Sequence, residues 1–230
     1  MGCCLMNKTF LTLDSRGMIS ALAVGTMLVV FGGNMGLFFL FVMILFLLLS
    51  AMVTDFRKEL KKKMKTYEEK RGWRNVAANA AVPVLIAFAY YLNYFFSLGL
   101  SSLIVIAYVS SVAAITADKF SSEIGVLDRG PIMLLTFKRA KPGTSGAVSV
   151  AGLTAGVFAS LLIGLSLLEY RGFAAVLLIV VISGILGDIV DSVFGYFEEK
   201  GIGNKYTSNF ACALGGALIS VALFAIIYGI

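Results

Sequence analysis

Seven long apolar stretches constrain this chain more than any motif in it. A helix needs roughly 20 largely apolar residues to cross the hydrocarbon of a bilayer, where every backbone amide must be satisfied within the segment. The stretches run over Met18 to Phe31, Gly36 to Val53, Val76 to Phe96, Leu98 to Ala117, Val148 to Leu168, Phe173 to Gly195 and Ser208 to Ile230. They predict an all-α, polytopic transmembrane helical bundle, a single integral membrane domain over residues 1–230. With 59% of residues hydrophobic and a mean hydropathy of +0.93, the chain holds more apolar surface than one water-surrounded core could bury, which excludes a soluble globular domain. Gly32, Gly33 and Asn34 read as the turn between the first two spans, Asp14 or Ser15 as the cap of the first, and Ser97 as a junction with almost no loop between the third and fourth.

Charge sets the expected orientation. With the N-terminus cytoplasmic, Lys8, Arg16 and the loops 54–75, 118–147 and 196–207 place 18 of the 19 basic residues inside, leaving only Arg171 outside. The net charge of +6 is therefore positive-inside bias, and no nucleic acid partner is expected. The run Asp55 to Arg74 reads as a continuation of the second helix, with Glu59 and Lys63 at helical spacing, Trp73 at the interface, and lysines facing anionic membrane lipids. Cys3, Cys4 and Cys212 fit neither a metal site nor a disulfide framework. Met6 stands where a myristoylation signal needs Ser or Thr, so an unmodified N-terminus is expected, with no cleavable signal peptide. The chain has no His, so any base is a carboxylate, Lys, Tyr or water, and His-ligated metal chemistry is excluded.

Polar groups gather around Thr116 to Gly152. Asp118, Ser121 and Ser122 share a helix face, with Glu123 on an adjoining one, and such hard oxygen ligands suit Mg2+. Farther on, Lys138, Arg139 and Lys141 precede the turn Gly143, Thr144, Ser145 and Gly146. Glycines there let the backbone aim N–H groups at an anion just before the fifth span begins. The clearest signal lies in the sixth span, where Asp188 and Asp191 are three residues apart, one above the other. Each ionised carboxylate costs about 3 kcal/mol at the bilayer centre, so both must face a polar cavity, a cation or each other. Asn75 and Asn79 share a face at the mouth of the third span beside Arg74, and Lys205 and Asn209 do so at the start of the seventh.

The blocks RNVAANA (Arg74 to Ala80), ADKFSSEIG (Ala117 to Gly125), KRAKPGTSGAVSVAG (Lys138 to Gly152), GDIVDSVFG (Gly187 to Gly195) and SNF (Ser208 to Phe210) resemble the membrane family containing plant phytyl-phosphate kinase and transmembrane protein 19. The resemblance spans nearly the whole chain in the same order. It implies phosphoryl transfer from a nucleoside triphosphate, CTP being favoured, to an isoprenoid monophosphate such as phytyl or geranylgeranyl phosphate, with Mg2+ as cofactor. It places the acidic residues on Asp118, Glu123, Asp188 and Asp191, the amides on Asn79 and Asn209, and the basic Pro-Gly turn on Lys138, Arg139, Lys141 and Gly143 to Gly146. The chain departs from the pattern at Lys119, where relatives tend to have Thr, and at Asn75, where they tend to have Gln. The rival expectation is a cation- or proton-coupled transporter using the intramembrane aspartates. Against it, the ionisable groups cluster at one end of the spans and the other halves are apolar.

Overall fold

The computed structural model describes residues 13–67 and 72–229. Cys3, Cys4, Met6, Lys8, Lys70, Arg71 and Ile230, named in or covered by the readings above, lie outside them.

The first apolar stretch is helix α1 (Ser15–Gly32), whose entry is capped by Asp14: its Oδ1 accepts from Gly17 N at 2.6 Å. Gly33, at φ +53°, ends it, and after a single 3-10 turn (Gly33–Met35) the chain runs back as α2 (Gly36–Asp55). The two pack as a hairpin so close that a Cβ at Gly36 would collide with the Val29 carbonyl. The apolar run Ser15–Asp55 is thus folded on itself. The other membrane-length helices are α4 (Trp73–Phe95), α5 (Ser101–Gly125), α6 (Val150–Gly164, extended by a 3-10 turn to Leu167), α7 (Phe173–Glu198) and α8 (Lys205–Tyr228).

One expectation fails between α2 and α4. The basic run does not continue α2, because the chain breaks at Phe56 and at Arg57, which has φ +50°. Helix α3 (Lys58–Lys63) then folds back under the bundle. Its Lys61 is 0% exposed and donates to Val53 O at 2.9 Å and Thr54 O at 2.6 Å, capping the carbonyls that α2 leaves unpaired.

Helix α5 is the axis. Every residue from Val105 to Ala117 is buried, against α2, α4, α6, α7 and α8. In lipid, helices associate through small residues that let backbones approach. Here the Ala114 methyl fits between α7 and α8: a Cβ at Gly187 would stand 2.5 Å from it, and one at Gly216 2.7 Å.

At one end of the bundle, Tyr108 donates to Phe39 O at 2.7 Å and Tyr90 to Asn34 Oδ1 at 3.0 Å. The predicted tight junction is there too, with Ser97 at φ +52° and Asn93 Oδ1 accepting from Leu100 N at 2.8 Å. Arg171 lies at this end, beside Gly172 and the Tyr228 hydroxyl. The other described basic residues lie toward the opposite end. There α5 overshoots its predicted limit at Ala117 by about two turns, carrying Asp118 to Glu123 out as helix. The segment from Val126 to Ser149 returns through a two-stranded antiparallel pair, β1 (Ile132–Met133) and β2 (Ala147–Val148), with Ile132 opposite Val148.

Candidate functional site

At the basic end, the tips of α4, α5, α7 and α8 and the loop before α6 enclose a cavity of about 370 Å3. Its floor is acidic. Asp188 on α7 is 3% exposed, and its Oδ2 lies 2.6 Å from Ser121 Oγ, which donates to it from α5; Gly152 O is 3.1 Å from the same hydroxyl. Gly156 on α6 makes this contact possible: a Cβ there would stand 2.5 Å from Ser121 Oγ and 3.3 Å from Asp188 Oδ2. Asp191 follows one turn along α7. It contacts the Asp118 side chain, and both lie within electrostatic reach of Asp188. Asp191 Oδ1 is buried and has no hydrogen-bond partner among the described residues. Adjacent carboxylates at this depth need a cation or a proton between them.

One wall is a relay of amides. Asn209 on α8 donates through Nδ2 to Asn79 Oδ1 at 3.2 Å, and Asn79 Nδ2 donates to Asn75 O at 2.9 Å. The spacings read from the sequence thus bring Asn75, Asn79 and Asn209 together across two helices, with Lys205 exposed at the rim one turn above Asn209.

The facing wall is the Gly143 to Gly146 turn, with Thr144 and Ser145 also lining it. Gly146, at φ +75°, is pressed onto α7 at Gly195: a Cβ at Gly146 would stand 2.6 Å from Ser192 O, and one at Gly195 2.8 Å from Ser145 Oγ. The expected anion cradle is partly filled by the chain's own groups. Ser145 N donates to Glu199 Oε1 at 2.9 Å, and Ser149 Oγ takes Gly152 N at 3.0 Å at the start of α6. Asp128 sits beside that helix start. The Arg129 N–H, 2.7 Å from its Oδ1, is the largest influence holding the Asp128 carboxyl below the ordinary carboxylate range.

Several predicted residues are not brought to the cavity. Glu123 turns to the other side of α5, where Lys61 Nζ donates to its Oε2 at 2.7 Å, Thr54 Oγ1 to its Oε1 at 3.1 Å, and Lys119 pairs with the same Oε1. Five residues is one and a half helical turns, so Asp118 and Glu123 diverge. Lys138, Arg139 and Lys141 are exposed and line no part of the cavity. The Arg74 guanidinium lies 5.6 Å from the Trp73 ring instead of facing inward. The expected four-carboxylate metal site is not formed. Among the described residues, no three His, Cys, Asp or Glu side chains are grouped to hold a metal ion. Asp118 and Asp191, in contact with each other, offer fewer protein oxygens, a pair that suits a cation retaining several waters.

Other lining groups escaped sequence reasoning. Ser192 and Ser208 are buried hydroxyls whose types give no signal in a small-residue helix, and Glu198 and Glu199 look like ordinary charges at a helix end. Their addition makes the lining acidic: Asp118, Asp188, Asp191, Glu198 and Glu199 against Lys119 and Lys205.

The model for the family described as integral membrane protein DUF92 matches residues 3–210. An uncharacterized membrane protein of Methanocaldococcus jannaschii is 34% identical over 222 residues, covering 96% of this chain and 89% of its own. Protein PGR of Arabidopsis thaliana is 30% identical over 177 residues, covering 66% and 62% respectively. No solved structure matches.

Proposed function

The chain belongs to the DUF92 family of integral membrane proteins, and on that premise we propose that it is a membrane phosphotransferase moving the terminal phosphoryl group of a nucleoside triphosphate, CTP by preference, onto an isoprenoid monophosphate. The basic end faces the cytoplasm in this reading, as the positive-inside bias requires. The supporting observation is the Asp191 Oδ1 atom: a buried carboxylate oxygen without a hydrogen-bond partner among the described residues, in a cavity that holds more carboxylates than amines. Such a site admits a polyphosphate only together with cations.

Asp118 and Asp191 are the residues that hold Mg2+ in this reading, with Asp188 beside them fixed by the Ser121 hydroxyl. An ion held there would supply positive charge to the phosphoryl group in transfer. Lys205 meets the phosphate oxygens at the rim. Asn79 and Asn209, locked to each other, orient the reacting groups. The Gly143 to Gly146 turn takes further oxygens once Glu199 releases Ser145 N. The acceptor oxygen is already anionic, so the new P–O bond forms as the bond to the departing nucleoside diphosphate breaks, and no general base is required. Positioning and charge neutralisation carry such a reaction.

The test is to incubate the purified protein with Mg2+, labelled CTP or ATP, and geranylgeranyl or phytyl monophosphate. The expected result is Mg2+-dependent formation of the diphosphate. The rival, cation-coupled transport, draws on the same excess of carboxylates. No product with any nucleotide, together with cation flux in liposomes, would establish the rival instead.

A further inference from the structure

The acidic cavity has an apolar annex. A second, smaller cavity of about 40 Å3 lies between α1, α2 and α4, and the two share three wall residues, Phe46, Asn75 and Asn79. Beyond that shared wall the lining becomes hydrocarbon. It is supplied by Ala21 and Val24 of α1, Met43 and Leu47 of α2, and Val76 and Ala80 of α4. Polarity thus changes within one helical turn of α4, from the two amides to Val76 and Ala80. That is the profile needed for a molecule with a charged head and an apolar chain.

Resting on the phosphotransferase reading, we infer that the isoprenoid chain of the acceptor leaves the site here, between α1 and α4. Its phosphate would stay against Asn79 and Asn209, and its first isoprene unit would pass Phe46. The annex is narrow, with room for about three waters, so it grips the start of the chain and leaves the rest to lipid. The occupant is chosen by the shared wall. The annex adjoins the amide wall, whereas a membrane lipid or a neighbouring helix would have no reason to meet those amides. The hairpin of α1 and α2 then has a purpose beyond scaffolding, since it forms the outer wall of the tail path.

The experiment uses the full chain in nanodiscs. First, geranylgeranyl monophosphate carrying a diazirine on its first isoprene unit is photo-crosslinked, and the labelled peptides are mapped. Saturable labelling of α1 or α4, competed by unlabelled geranylgeranyl monophosphate, supports the path. Saturable labelling confined to α6 or α7 overturns it and leaves the phosphotransferase reading standing. No saturable labelling anywhere overturns both. Second, Val24→Trp narrows the annex, while Leu22→Trp, at a position 72% exposed on the lipid side of α1, serves as control. Val24→Trp is expected to raise the KM for geranylgeranyl monophosphate about tenfold or more, the scale of a misfit in an apolar pocket. The nucleotide KM stays constant, and Leu22→Trp changes neither. An unchanged lipid KM in Val24→Trp, or an equal rise in the nucleotide KM, overturns the assignment. Should Val24→Trp not fold, Ala80→Leu makes the same test from α4.

Discussion

Two buried acidic sites sit at the same end of the bundle on different sides of α5, and they are finished differently. Around Glu123 the protein supplies every counter-charge: Lys61, Lys119 and the Thr54 hydroxyl meet its two oxygens, and Lys61 also closes the end of α2. At Asp191, on the other side, it does not. Ser121 serves Asp188, but a buried oxygen of Asp191 is left open, and carboxylates predominate. A charge whose partners are all built in holds a fold together. A charge whose partner is missing awaits one from outside. Sequence pattern and family resemblance grouped all four acids; their surroundings separate one from the other three.

The contrast can be broken most sharply at Lys61. Replacing it with Met leaves Glu123 short of its fully buried cation and strips α2 of its cap, so the loss should reach about 3–5 kcal/mol, the cost of removing one partner of a buried pair. Combining Lys61→Met with Glu123→Leu should recover most of this, because the unpaired charge goes as well. Thermal unfolding in detergent measures both. A Lys61→Met protein as stable as the parent would mean that Glu123 is no structural pair.

Asp191→Asn should act in the opposite sense. Its melting temperature should hold or rise, since a carboxylate crowded by two others is removed, while phosphoryl transfer falls by about 100-fold or more, as when one electrostatic stabiliser is lost. Stabilisation of the parent by added Mg2+ should disappear with it and should be reversed by a chelator. If Mg2+ stabilises the variant as strongly as the parent, the open oxygen is not where the ion binds.

The smallest effect is expected from the cations that the sequence placed at the site. Changing Lys138, Arg139 and Lys141 together to Gln should alter the nucleotide KM by less than about threefold at physiological salt, because exposed charges outside the cavity are screened. A tenfold rise would bring the basic loop back into the site.

Much of this was legible in the residues. A bilayer imposes its thickness on the chain, so the apolar runs announced their helices, and the Gly33 turn and the Asp14 cap followed from local chemistry. Asp188, Asp191 and Asp118 stood out because carboxylates beside or within apolar helices have few reasons to be there. Asn79 and Asn209 were found by four-residue spacing, although nothing in either segment says that one donates to the other. What stayed hidden depends on how helices are rotated about their axes. Glu123 lies five residues from Asp118 on one helix, and only the packing of α5 against α2 and α3 decides that it faces away. Lys61 was one lysine in a solvated-looking run, and its burial needs the break at Arg57. The bond from Ser145 to Glu199 joins residues 54 apart in sequence, so neither local pattern contains it.

The seating of Ala114 between Gly187 and Gly216 has a mechanical consequence. With no side chain between the backbones to give way, α5, α7 and α8 can shift at that level only by parting. Asp188, the residue after Gly187, is therefore tied to a rigid three-helix joint, and the base of the cavity keeps its shape while the loops at its mouth are free to move.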